Sequence, residues 1–218
     1  MSRRIIALTL AAVCVLPGCS LLDPNKDKGE PIPEGLVAEP GKPSLPDPSD
    51  RKSPRPKDED EAISNALRFE LEQAVLEQAA IDKPISSKCR RTGEKTFDCT
   101  VTFDGKPVQH KVEITSPPSS IMPNGVSRLF SYQVHERDAV VTKRAVQLEM
   151  LKSVKESAKI NNHYGPPRCD ANIPEVTVLS EKGELPDAFC YALPKGALET
   201  TEKFYIKASS IGPMAYHK

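Results

Sequence analysis

Two kinds of hydrophobic periodicity follow one another along this chain, and the same succession occurs twice. From Asp58 the apolar positions Ile63, Ala66, Leu67, Leu71, Ala74 and Val75, with Gln78, keep helical spacing, which predicts an amphipathic helix to about Ala80. Asp58 can cap it, with Glu61 in the capping-box position, and the acidic run suits the positive end of the helix dipole. A period of two then takes over. Phe97, Cys99, Val101 and Phe103 point one way and the intervening Thr and Asp residues the other. Asp104-Gly105 is a strong hairpin signal, and Val108, His110, Val112 and Ile114 continue the alternation on the return. A third strand is predicted from about Leu129 to His135, with Phe130, Tyr132 and Val134 on one face. The plan restarts with a helix over Thr142–Lys159, using Ala145, Leu148, Leu151, Val154 and Ala158. Strands follow near Val176–Leu179, Ala188–Leu193, Phe204–Ala208 and Ile211–Tyr216.

A shift of eighty positions superposes the two runs: Ala66 falls on Val146, Leu71 on Leu151, Ala74 on Val154 and Cys89 on Cys169. With about ten further residues inserted, Cys99 falls near Cys190, and Ser119-Ser120-Ile121-Met122-Pro123 matches Ser209-Ser210-Ile211-Gly212-Pro213. Matches in one order across helix, cysteines and turn imply a tandem duplication. The expected fold class is α+β: two tandem modules, each one helix packed on a small antiparallel sheet with a local disulfide.

What precedes the modules has no such periodicity. Ser20 to Lys57 holds nine prolines and no aromatic residue, a composition that opposes helix and central strand and predicts a disordered spacer. Before it, Ile5–Leu16 is an apolar run of twelve residues behind a basic start. As a helix it would rise about 18 Å, too little to span a bilayer but suited to a signal peptide. Leu16-Pro17-Gly18-Cys19 resembles the lipobox of bacterial lipoproteins, and the resemblance implies acylation of the Cys19 thiol and attachment to the extracytoplasmic side of the cell membrane. The chain thus divides into a signal segment (1–18), a lipid-anchored Pro-rich tether (19–57) and modules over 58–136 and 137–218.

Charge and cysteine content narrow the classes of partner. The sequence carries 30 basic and 30 acidic residues; losing Arg3 and Arg4 with the signal leaves 28 − 30 = −2. That balance, with no tryptophan, gives no basis for nucleic-acid binding. Cys14 would leave with the signal and Cys19 would carry lipid, so Cys89, Cys99, Cys169 and Cys190 remain, an even number in an exported chain. Three connectivities are open to them, and the module boundaries favour Cys89–Cys99 and Cys169–Cys190. The competing zinc reading lacks CxxC spacing and a nearby histidine.

Ser86-Ser87-Lys88-Cys89, Gly93 and Phe97-Asp98-Cys99-Thr100-Val101-Thr102-Phe103-Asp104-Gly105 resemble a secreted domain family of unknown function found in actinobacterial lipoproteins. The likeness covers about residues 85–115; the second module departs from it, with Cys190-Tyr191-Ala192-Leu193 in place of the Cys-Thr-Val pattern. The resemblance implies an envelope location and brings no catalytic residues. In architecture the tandem helix-plus-sheet plan is similar to the beta-lactamase inhibitory proteins, which present a sheet to a partner enzyme. Only Tyr132, Tyr191 and Tyr205 are candidates here for an aromatic binding face of that kind.

The chain offers few groups suited to reaction chemistry. His110, His135, His163 and His217 are dispersed; His110 lies on the apolar side of its strand, as a satisfied core histidine would, and His163 lies in a helix-ending loop. No nucleophile elbow, phosphate loop, dinucleotide fingerprint or zinc-protease motif is present, and oxidised cysteines would offer no thiolate. No catalytic residue, metal ligand or cofactor is therefore assigned. The expected role is non-enzymatic binding of an envelope or extracellular protein by a lipid-anchored chain. The alternative is inhibition of an extracytoplasmic enzyme, with a small hydrolase as a third possibility.

Overall fold

The computed structural model describes residues 28–36, 56–116, 131–159, 164–194 and 201–217. Cys19 and its apolar run, residues 37–55, the 119–123 segment, Phe130 and His163 lie outside these residues. The protein is α+β, and the described residues form two α-helices, two antiparallel sheets and two disulfides.

Helix α1 spans Glu59–Ala79, with Asp58 as its cap accepting from the Glu61 N–H at 2.8 Å. The Glu61 carboxylate reaches past the cap to accept from Lys57 N–H at 2.7 Å. After α1 come strands β2 (Ile85–Arg91), β3 (Thr96–Phe103), β4 (Lys106–Ser116) and β5 (Ser131–Thr142); β1, Glu30–Pro31, precedes the helix. Strands β2 to β5 form a meander turned at Asp104-Gly105, where both residues have positive φ, 48° and 75°. Their inward positions, Phe97, Val101, Phe103, Val108 and Val112, pack against Leu67, Leu71 and Val75 of α1 to make the first core. Strand β2 has no counterpart in the hydrophobic pattern, because Ser, Lys and Arg dominate it and only Ile85, Ser87 and Cys89 lie on its inner side.

The second half repeats the order. Helix α2 (Lys143–Lys159) is followed by β6 (Arg168–Cys169), β7 (Val176–Ser180), β8 (Glu184–Ala192), β9 (Glu202–Ser209) and β10 (Gly212–Tyr216). The second sheet has the order β1-β6-β8-β9-β10. Strand β7 pairs instead with the end of β5, giving the first sheet the order β2-β3-β4-β5-β7. Four strands after each helix thus lie side by side in one sheet, β7 interrupting the second set, and each cysteine pair joins the first two strands of its set: Cys89–Cys99 across β2–β3 and Cys169–Cys190 across β6–β8.

Two expectations change. The spacer reading of residues 19–57 does not hold over 28–36: β1 pairs with β6, a 3₁₀ turn follows at Glu34–Leu36, and Ile32 is buried in the second core. An isolated apolar residue among prolines suffices here because a preformed edge receives it; Pro31, lacking an N–H, is tolerated on an edge strand. The α2 face is also rotated. Val146 and Met150 are fully buried with Ala145, whereas Leu148 and Leu151 are half-buried, and the side chain of Ala158 lies outside those described.

The two cores meet in β5. Val140 belongs to the first core, while its neighbours Ala139 and Val141 belong to the second, the result of strand alternation between two packed layers. Thr142 then ends the strand: its hydroxyl donates to the Ala79 carbonyl at 2.6 Å and accepts from Ala145 N–H at 3.0 Å, capping α2.

Candidate functional site: the outer face of the second sheet

Alternation in a half-buried sheet places every second residue in water, so the outer faces of the two sheets can be compared position by position. On the first sheet the outward positions of β3 and β4 are Thr96, Asp98, Thr100, Thr102, Gln109, Lys111 and Glu113. They pair locally, as in Thr100 Oγ1 donating to Gln109 at 2.8 Å and Lys111 against Glu136 at 3.6 Å. His135 and Glu113 meet at 2.7 Å on the same exposed surface.

The second sheet is different. Phe189, Tyr205 and Tyr216 stand in one cross-strand row over β8, β9 and β10, because Phe189 pairs with Tyr205 and Tyr205 with Tyr216. Phe189 and Tyr205 meet edge to face with centroids 5.3 Å apart, and Tyr205 and Tyr216 at 5.9 Å. Such rows supply cross-strand stabilisation and also offer wide, stiff apolar area. Tyr191 lies in the next row, opposite Lys203 and Arg168, and Met214 lies opposite Lys207.

Cations cover the rings. Lys203 Nζ is 3.3 Å from the Phe189 centroid, Lys207 Nζ 5.0 Å from Tyr216 and Lys28 Nζ 5.9 Å from Tyr191. The carboxylates on this surface are engaged by phenols: Tyr191 hydroxyl donates to Asp170 at 3.4 Å, and Tyr216 hydroxyl donates to Glu184. Burial and the Asp170 carboxylate hold the Tyr191 phenol above its ordinary range, so it remains a donor at neutral pH. The arrangement can bury rings and pair lysines with acids on a partner, and it presents no nucleophile–base pair.

Of the residues proposed from sequence for an aromatic face, Tyr191 and Tyr205 lie here, whereas Tyr132 faces inward against the first core. Phe189, Tyr216 and Met214 were missed. Phe189 shares its face with Tyr191 two residues on, so the period of two along the end of β8 was the signal that could have found it; the irregular register, with Asp187 at φ 54°, lies before it.

The other candidate residues fall elsewhere. Cys89, Cys99, Cys169 and Cys190 are the two disulfides. His110 is buried, but it departs from a satisfied core histidine: neither ring nitrogen has a partner among the described residues. Burial, and then the charge of Arg137, push its pKa down to about 4. His217 pairs with Glu202 at 3.2 Å and lies on the Phe204 ring. No group of three His, Cys, Asp or Glu side chains suited to a metal occurs among the described residues. Comparison with protein-family models, with curated proteins and with solved structures returns no match to this chain.

Proposed function

We propose that this chain is a membrane-anchored lipoprotein of the cell envelope, built on a tandem duplication, that binds a protein partner without chemical turnover. The observation that carries the binding role is the Phe189–Tyr205–Tyr216 row with its lysines, set on one of two sheets of the same plan. Aromatic anchors ringed by polar groups are what protein interfaces use, and these rings leave part of their area in water beyond what their cross-strand contacts cover. Lys28, Arg168, Lys203 and Lys207 favour an acidic partner surface.

The anchor reading rests on the likeness of Leu16-Pro17-Gly18-Cys19 to a lipobox. It gains a geometric consequence from the docked segment. Lys28 is nine residues beyond Cys19, a reach of about 30 Å even when extended. The second half would then stand close to the bilayer, and the partner would be membrane-proximal. Intact mass and membrane fractionation of wild type beside Cys19→Ala test the anchor: the variant lacks the acyl-sized mass and is either released from the membrane fraction or left with its signal segment uncut.

Photo-crosslinking in cells tests the face. A crosslinker at Tyr216 is expected to give a discrete protein adduct that one at Glu113, on the outer face of the first sheet, does not. Equal labelling at both positions removes the reading. The second reading, inhibition of an extracytoplasmic enzyme, is favoured by the same face, since ring-bearing sheets can close an active-site cleft. It requires the adduct to be an enzyme whose turnover falls when this protein is added.

A further inference from the structure

The two halves differ at one equivalent edge. In the second half the outer edge of β6 is filled by the chain's own segment 28–36. The Arg168 guanidinium donates to the carbonyls of Lys28 and Gly29 at 3.1–3.2 Å, and Glu30 meets Lys143, the first residue of α2, at 3.2 Å. In the first half β2 holds the corresponding place, leading its meander and carrying the first cysteine of its pair. Among the described residues no strand pairs with its outer edge.

The register shows which backbone groups that edge presents. Cys89 and Cys99 are directly opposite with Cα atoms 4.1 Å apart, the spacing of a pair that exchanges no backbone hydrogen bonds. Cys89 therefore turns its N–H and C=O away from β3, as Ser87 and Arg91 do by the two-residue period. The flanking bonds agree: Thr92 N–H and the Pro84 carbonyl, at even positions, bond to Thr96 and Asp104 on the β3 side. The second half follows the same rule with its edge filled. Cys169 and Cys190 stand 4.0 Å apart, and Pro167, two residues before Cys169, accepts from Ile32 N–H at 3.2 Å. Under the eighty-residue shift, Pro167 corresponds to Ser87 and Arg168 to Lys88.

In front of the β2 edge lies a cleft of about 800 Å³ between the first turns of α1 and residues Ser87–Arg90. Arg68, Lys88 and Arg90 line it against two acids, Glu61 and Asp98. We infer that this cleft docks an extended, acidic segment of a protein partner, which adds to β2 as a strand in the way that β1 adds to β6. Main-chain bonds to Ser87, Cys89 and Arg91 hold the segment, Lys88 meets its carbonyls as Arg168 does, and Arg90 meets a carboxylate. The site is separate from the aromatic face and independent of the anchor.

The probe is a fluorescent peptide copying Lys28–Leu36, titrated by anisotropy into the purified full chain, with amide hydrogen exchange locating it. Expected are saturable binding, slowed exchange at Ser87, Cys89 and Arg91, and no change at Cys169. Lys88→Glu and Arg90→Glu, both on exposed side chains, each weaken binding by roughly tenfold or more, while Lys88→Arg retains it. N-methylation of the peptide's Ile, which removes the donor that Ile32 uses toward Pro167, weakens it comparably. The inference is overturned by absence of saturation at millimolar peptide, by affinity indifferent to the two charge reversals, or by altered exchange confined to β6, which would mean exchange with the resident segment.

Discussion

Gln78 near the end of α1 and Ser210 in the β9–β10 turn are 132 residues apart in sequence, and Gln78 Nε2 donates to the Ser210 carbonyl at 2.9 Å. The same side chain accepts from Val140 N–H at 3.3 Å, so one buried amide joins the first helix, the shared strand and the last hairpin. Arg137 Nη1 donates to the same carbonyl at 3.0 Å from an exposed position. Gln78→Leu strands the Val140 N–H in the interior and is expected to cost about 1–3 kcal/mol. Arg137→Ala should cost less than about 1 kcal/mol, since the Ser210 carbonyl keeps its other donor. Urea unfolding of the two variants checks the order.

Gly29 determines whether segment 28–36 can lie on β6. Its φ is +60°, and a Cβ there would stand 2.4 Å from the Cys169 carbonyl oxygen, a backbone atom with no room to yield. Gly29→Ala is expected to release the segment while the sheets stay folded. The readout is faster amide exchange at Ile32 with little change in β3 and β4.

Adjacent residues on β9 provide a test of sidedness. Phe204 is buried in the second core against Tyr164 at 6.2 Å, whereas Tyr205 is part of the outer row. Phe204→Ala should cost about 3–5 kcal/mol. Tyr205→Ala should cost about 1 kcal/mol, the scale of one cross-strand pair, and abolish the Tyr216 crosslink. Thermal unfolding and crosslink yield separate the two effects.

His110 makes stability depend on pH in a predictable direction. Its folded pKa of about 4 lies below the ordinary histidine value, through burial first and Arg137 second. Between about 6.5 and 4 the unfolded chain takes up a proton that the folded chain refuses, so stability falls as the pH drops through this window and levels off below it. The histidine's share is on the order of 3 kcal/mol. His110→Leu removes the two unpartnered ring nitrogens; it should flatten this part of the profile and leave stability at pH 7 unchanged or raised. Urea midpoints at pH 7 and 4.5 for both proteins decide it.

Where a pattern repeats over many residues, the sequence was a sufficient guide. The Phe97–Phe103 and Val108–Ile114 strands alternate cleanly, and Asp104-Gly105 turns between them with the positive φ angles that such a dipeptide accepts. Gln78 also kept the apolar spacing of α1, and its burial follows from that register. Short or irregular elements were not legible in this way. Strand β6 is two residues long and β1 contains a proline, so neither carries a period, and both exist because an edge was there to receive them. The outer aromatic row was missed because its three rings lie on three strands, and which residues stand opposite one another is set by pairing register, not by spacing within any one strand.

By itself the sequence determined the two helices and the alternating strands, because each is set by spacing between near neighbours, and of three cysteine connectivities it favoured the local one that forms. Only the tertiary structure decided which sheet received β7, that β5 serves two cores with alternate residues, and that Ile32 leaves the Pro-rich segment to be buried. These are choices among partners distant in sequence. They depend on which edge and which apolar surface remain open once the local elements have formed, and no periodicity within a single segment encodes that.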